Sequence, residues 1–293
     1  MTPSPSILLT FGLLALTVVL LWVPAPPIRG RRDWAWCAGL ALACVAGLAG
    51  GLLDWRAPVW TLAYAALAFG ARGATRSWVR VPLLVLTGLA AFLFALHRFP
   101  GFYNPVLAEG IRFSADTPPF SLRANADTAV AGIVLMGVFC ERISSLADLR
   151  AMLRRVWPVV LSVLAVVLGL GWALGYVRPD WKWTPYSAWF LASNLLFTCV
   201  TEEAFFRGFM LERLARGMAR WRGGVLVATL LSSLLFGLAH ARGGMLLVAL
   251  ASLAGIHYAA AYLWSRRIEG AILTHFALNA VHFVAFSYPN LAP

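Results

Sequence analysis

Apolar residues run along this chain in blocks of roughly twenty, separated by short polar stretches, and these blocks dominate its pattern. A helix needs about 20 mostly apolar residues to cross the hydrocarbon core of a bilayer, since each residue advances it by about 1.5 Å. Ten blocks meet or approach that length: 6–23, 34–53, 57–71, 81–97, 127–141, 157–177, 187–208, 224–240, 244–264 and 270–287. The pattern predicts an all-α, polytopic integral membrane helix bundle with about ten transmembrane helices. The third and fifth blocks are short for a span. Trp34, Trp36, Trp78, Trp181, Trp183 and Trp264 stand near block ends, where an amphipathic ring suits the boundary between lipid and water.

Composition agrees. Of 293 residues 61% are apolar and 12% charged, against about 25% charged in a soluble domain. The net charge of +12 would, in a soluble protein, raise the question of a nucleic-acid surface. Here there is no basic stripe: the cations are arginines, with Lys182 the one lysine, set between or at the ends of apolar blocks. No nucleic-acid partner is expected. The arginines read as topology determinants and contacts to lipid headgroups. The odd-numbered loops carry 16 of them and the even-numbered loops 7 basic residues, leaving Arg207 inside a block. By the positive-inside rule the odd loops, beginning with Arg29, Arg31 and Arg32, are cytoplasmic and both termini lie outside. The expected location is the cell inner (plasma) membrane, crossed many times. Cys37, Cys44, Cys140 and Cys199 form no close-spaced pair and read as buried small hydrophobes. The first block ends in Pro24-Ala25-Pro26-Pro27 and lacks a basic region before it, so no cleavable signal peptide is expected.

Ionisable residues divide the chain. Blocks before residue 155 hold almost none, and those from about 185 onward hold nearly all. This suggests an N-terminal accessory transmembrane region, 1–155, and a chemistry-bearing region, 156–293. The long loop 98–126 is Pro-rich and polar, suited to a lid, a docking surface or a connector.

A charged group inside a span costs about 2.5–3.5 kcal/mol on the lenient insertion scale, so each is a functional hypothesis by default. The seventh block contains Thr201, Glu202, Glu203 and Arg207. On an α-helix Glu203 and Arg207, four apart, share a face and can pair. Glu202 is turned about 100° away and lacks so good a partner. A carboxylate held in an apolar setting can serve as general base on water; the plainer reading is a buried structural charge cluster. His240 closes the eighth block. In the tenth, His275 and Asn279 are four apart on one face, with His282 three further on. An imidazole and a carboxamide stacked in this way can donate to one developing oxyanion, or simply glue helices together. His257 and His97 lack a partner at helical spacing and read as core or interface residues. No Ser or Cys nucleophile and no His-Glu-x-x-His helix stands out, so the chemistry implied is direct attack of an activated water.

Glu202-Glu203-x-x-x-Arg207, then Phe236-x-x-x-His240, then His275-x-x-x-Asn279 resembles the three-motif pattern of the CPBP family, the CAAX protease and bacteriocin-processing (Abi) intramembrane proteins. The likeness covers about residues 185–290. It implies a glutamic-type intramembrane endopeptidase that needs no metal or other cofactor. In it Glu202 activates water with His240, while His275 and Asn279 steady the oxyanion, and Glu203 and Arg207 support them. It also implies a membrane-anchored protein or peptide substrate, cut in C-terminal tail or sorting-signal processing. Two other readings stay open: a zinc-dependent intramembrane metalloprotease using some of the same residues, and a transporter or immunity-type membrane protein whose buried charges form an ion relay. Straight helices would leave His240 near the outer end of its span and Glu202 toward the cytoplasmic half. A later start of the eighth helix is the preferred remedy; a break at Gly237 or Gly243-Gly244 is the other.

Overall fold

The computed structural model of the chain describes residues 3–23 and 34–292. Pro24 to Pro27 and the arginines at 29, 31 and 32 lie outside the described residues. Among the described residues, ten helical segments overlap the ten apolar blocks. They are α1 (Pro5–Leu20), α2 (Ala35–Ala49), α3 (Arg56–Gly73), α4 (Ser77–Ala95), α5 (Ala126–Phe139), α6 (Leu146–Ala173), α7 (187–217), α8 (Gly224–Ala239), α9 (Met245–Ser265) and α10 (Ile268–Ala285). Four of them, α4, α6, α9 and α10, are long and apolar enough to cross a bilayer. Helices α1, α2, α5 and α8 are apolar but only 14 to 16 residues long. Large aliphatic side chains such as Val45, Leu62, Val85 and Leu226 are exposed on helix faces, an arrangement that lipid tolerates and water does not.

Contacts between residues divide the chain into two interleaved units. The first comprises 1–108, 122–140 and 196–205. In it α1 packs on α2 and α3 on α4, while α5 is enclosed: every residue from Ala126 to Val138 except Thr128 is buried. Trp36 stacks on Phe69 and the Tyr64 hydroxyl donates to the Ala131 carbonyl. Asp127, at the start of the fifth apolar block, is 1% exposed. Its carboxylate is held by His97 Nδ1 at 2.8 Å and accepts from Asn104 Nδ2 at 2.9 Å, so a buried charge is paired as it must be.

The second unit comprises 109–121, 141–195 and 206–293. Here α8 and α9 form a helical hairpin, α10 packs on α9, and α6 packs on both α9 and α10. Met152, Val156 and Val159 of α6 meet Ala261 of α9. α6 starts at Leu146, eleven residues before the block that predicts it, because Ser145 caps Asp148 N and the 152/156/159 spacing continues the apolar face outward. Residues Leu164–Leu168 within it are wound as a π-helix.

The loop 98–126 contains a two-stranded hairpin, Val106–Ile111 (β1) with Phe120–Arg123 (β2). Its tip is fastened: Phe113 packs edge-on against Phe283 at 4.9 Å, and Asp116 is paired with Arg178 at 2.7 Å. Of the four cysteines only Cys199 is buried; Cys37 is exposed and Cys44 and Cys140 are partly so. Periodicity within an apolar block cannot separate a core-facing position from a lipid-facing one.

Candidate active site

The two glutamates lie in the first unit, on α7. This segment alternates in winding: Asn194–Cys199 is π, Val200–Glu203 is α, and Ala204–Leu211 is π again. Glu202 and Glu203 therefore occupy a single α turn between two π stretches, a kind of irregularity frequent at functional sites. α5 anchors that turn. Thr201 Oγ1 donates to the Thr128 carbonyl at 3.1 Å, and Gly132 lies so near Thr201 that a Cβ there would overlap it. Glu203 is fully buried and Glu202 half-buried. From Ala204 the chain winds i→i+5.

The other site residues lie in the second unit. Arg207 is fully buried, and its Nη2 donates to the Gly255 carbonyl at 3.0 Å. Its guanidinium lies 4.7 Å from the Phe236 ring centroid and 5.2 Å from that of Tyr258, a desolvated cation–π arrangement. Those two rings also enclose His275, which is 3% exposed. Tyr258 stacks on the imidazole at 4.5 Å and Phe236 meets it edge-on at 5.6 Å. A histidine held between two rings has little rotational freedom left.

His240 is the residue just past α8. Its Nδ1 is 2.8 Å from the Phe236 carbonyl and its ring is 4.8 Å from the Phe236 ring. A carbonyl only accepts, so Nδ1 carries the proton, and in the neutral ring Nε2 is the basic nitrogen. His240 and His275 thus gather around one side chain, Phe236. α8 begins at Gly224, as the apolar block predicts, so the later helix start is not what the structure shows. The break falls after His240, where Ala241–Gly243 forms a 3₁₀ turn and Gly244 takes φ +91°, a conformation open to glycine. Gly237 stays inside α8.

Asn279 Nδ2 donates to Asn194 Oδ1 at 3.2 Å. Asn194 is absent from the residues singled out by sequence, because ionisable groups dominate that reading; an uncharged amide inside an apolar block was the signal available. Of the remaining histidines, His257 lies 3.2 Å from Ser162 Oγ through Nε2 and has Nδ1 on the Leu253 carbonyl, tying α9 to α6. His282 packs against Tyr288. Among the described residues no group of three or more His, Cys, Asp or Glu is placed to hold a metal ion.

Comparison with known proteins gives one family. Residues 182–281 match the family described as "Type II CAAX prenyl endopeptidase Rce1-like", a stretch that contains Glu202, Glu203, Arg207, His240, His275 and Asn279. No curated protein matches the chain, and no solved structure does.

Proposed function

Because residues 182–281 carry an Rce1-like CAAX endopeptidase domain of the CPBP kind, we propose that this membrane protein is a metal-independent intramembrane endopeptidase of glutamic type. Glu202 takes a proton from water, assisted by Nε2 of His240, and the resulting hydroxide attacks the carbonyl of a peptide bond. His275 and Asn279 donate to the oxyanion that forms. Glu202 then returns its proton to the departing amine, so no covalent intermediate and no redox partner is needed. Arg207 holds the two rings that confine His275. The substrate is a membrane-anchored protein cut near its C-terminal tail or at a sorting signal. In this reading all ten helices cross the inner (plasma) membrane with both termini outside, residues 1–155 are accessory, and 156–293 form the protease domain.

The observation that carries the proposal is the gathering of His240 and His275 on Phe236, inside the matched stretch that also bears Glu202. The test is cleavage of co-expressed membrane-anchored proteins by wild type and by Glu202→Gln, with and without a chelator. Cleavage lost in the variant and indifferent to chelator supports the proposal. Activity retained by Glu202→Gln, with the protein inserted normally, sinks it; cleavage abolished by chelator would transfer the chemistry to a zinc ion.

A further inference from the structure

The N-terminal part of α6 carries an arrangement that neither the fold nor the proposed chemistry uses. Arg150, Arg154, Trp157 and Leu161 succeed one another at intervals of four, three and four residues, which places them in a single stripe. All four are exposed, Trp157 at 59% and Leu161 at 56%. Among the described residues neither Arg150 nor Arg154 has a carboxylate partner. Two like charges four apart on a helix repel. Something anionic relieves that cost.

The depth of this stripe is fixed by its neighbour. α9 spans 21 residues, about 31 Å, close to the thickness of the hydrocarbon core. It ends at Ser265, and Arg155 Nη1 reaches the Trp264 carbonyl at 3.3 Å. The level of Arg155 is therefore one surface of the bilayer. Trp264 is 60% exposed at that level, and Arg266 is exposed just beyond it. Arg267 differs, having Glu141 and Asp148 for partners. Along the stripe the guanidinium groups of Arg150 and Arg154 stand at headgroup height. Trp157 stands at the interface, and Leu161, about 10 Å below Arg154, stands among acyl chains.

That order of chemistry is the order of groups in one phospholipid. We propose that the Arg150–Arg154–Trp157–Leu161 face of α6 is a binding site for a single anionic phospholipid. The two guanidinium groups hold the phosphate, the indole covers the glycerol region, and Leu161 lines an acyl chain. The site requires only that the chain lies in a membrane and stands apart from the protease mechanism.

The experiment is native mass spectrometry of the full chain, purified in detergent and offered equimolar phosphatidylglycerol and phosphatidylcholine. Wild type retains phosphatidylglycerol in preference by about thirtyfold, the value expected for two arginines at a lipid surface. Arg150→Gln/Arg154→Gln brings the two lipids near parity, whereas Arg220→Gln/Arg222→Gln, an equal loss of charge in a turn, leaves the preference standing. Equal retention of both lipids by wild type overturns the proposal. So does an equal loss in the two double variants, which would mean diffuse charge and no site. Displacement of the lipid by millimolar inorganic phosphate would reassign the arginines to a free anion; indifference to phosphate supports the intact lipid.

Discussion

Two glycine-to-alanine substitutions in this chain should move stability in opposite directions. Gly255 lies in α9, and a Cβ built there falls 3.1 Å from Arg207 Nη2 and 3.1 Å from Cα and Cβ of Ser233 on α8. The arginine is itself bound to the Gly255 carbonyl, and the Ser233 backbone belongs to a packed helix, so neither neighbour yields easily. Such overpacking costs about 1–3 kcal/mol. Gly169 lies in the interior of α6 and a Cβ there meets nothing within 4 Å. Both substitutions gain the same helix preference, up to about 1 kcal/mol. The difference between the two variants cancels that shared gain and isolates the steric term, about 1–3 kcal/mol in favour of Gly169→Ala. For a chain of this size that corresponds to melting points roughly 3–10 °C apart, read from tryptophan fluorescence in one detergent. Equal melting points, or Gly255→Ala as the more stable variant, would refute the close approach of α9 to α8 at Arg207. A cleavage assay adds a second readout. Tyr258, three residues beyond Gly255, stacks on His275, so a shift of α9 should lower turnover although Gly255 touches no reacting group.

Three further outcomes are expected. Glu202→Gln should remove cleavage entirely while leaving insertion and melting point close to wild type, checked on membrane fractions from the same cells. Asn194→Ala should reduce turnover about three- to tenfold, with KM little changed, because it deprives Asn279 of the oxygen that orients its amide; an unchanged turnover would leave that pair a packing contact. In the loop between α2 and α3, hydrogen bonds from the Arg56 side chain hold Asp54 down from 3.8 to about 2. A lowered carboxylate contributes stability that is fully present above its ordinary value and is lost as pH falls through its folded value. Asp54→Asn should thus melt lower than wild type at neutral pH and converge with it between about pH 4 and pH 2; a gap that persists at pH 2 would contradict that linkage.

Much of the helical layout was legible because a membrane simplifies the code. Where lipid is the solvent, an apolar run of sufficient length has few alternatives to a helix, and among the described residues each of the ten blocks overlaps a helical segment. The outer part of α6 was not legible for a related reason. Arg150, Arg154 and Arg155 dilute its hydropathy, while Met152 and Val156 continue the buried face beneath them. Nothing local to Asp127 announces that His97 and Asn104 will close over it. In the site, the residues that announce themselves are charged or imidazole groups in apolar surroundings. Their confinement is not legible, since it depends on rings from α8 and α9 that in sequence are ordinary apolar residues. The winding of α7 left no trace either: Ala-Phe-Phe-Arg-Gly-Phe-Met-Leu would suit an α-helix, and its π form reflects packing more than local preference.

That winding makes α7 sensitive to length in a way an ordinary helix is not. A π stretch accommodates an additional residue without ending the helix, so Ala204–Leu211 works as a spacer whose residue count sets the rotation of the last turns of α7 about its axis. Removing one residue there would let the stretch relax toward α form, and because α and π winding differ in rotation per residue it would also re-aim the last turns of α7, Glu212 among them. Glu212 would then leave the Tyr262 hydroxyl, from which it now accepts at 2.9 Å. Conservative apolar substitutions along this segment should be absorbed by its neighbours, whereas Arg207 is fixed by Gly255, Phe236 and Tyr258, and a single insertion or deletion should break the Glu212–Tyr262 contact.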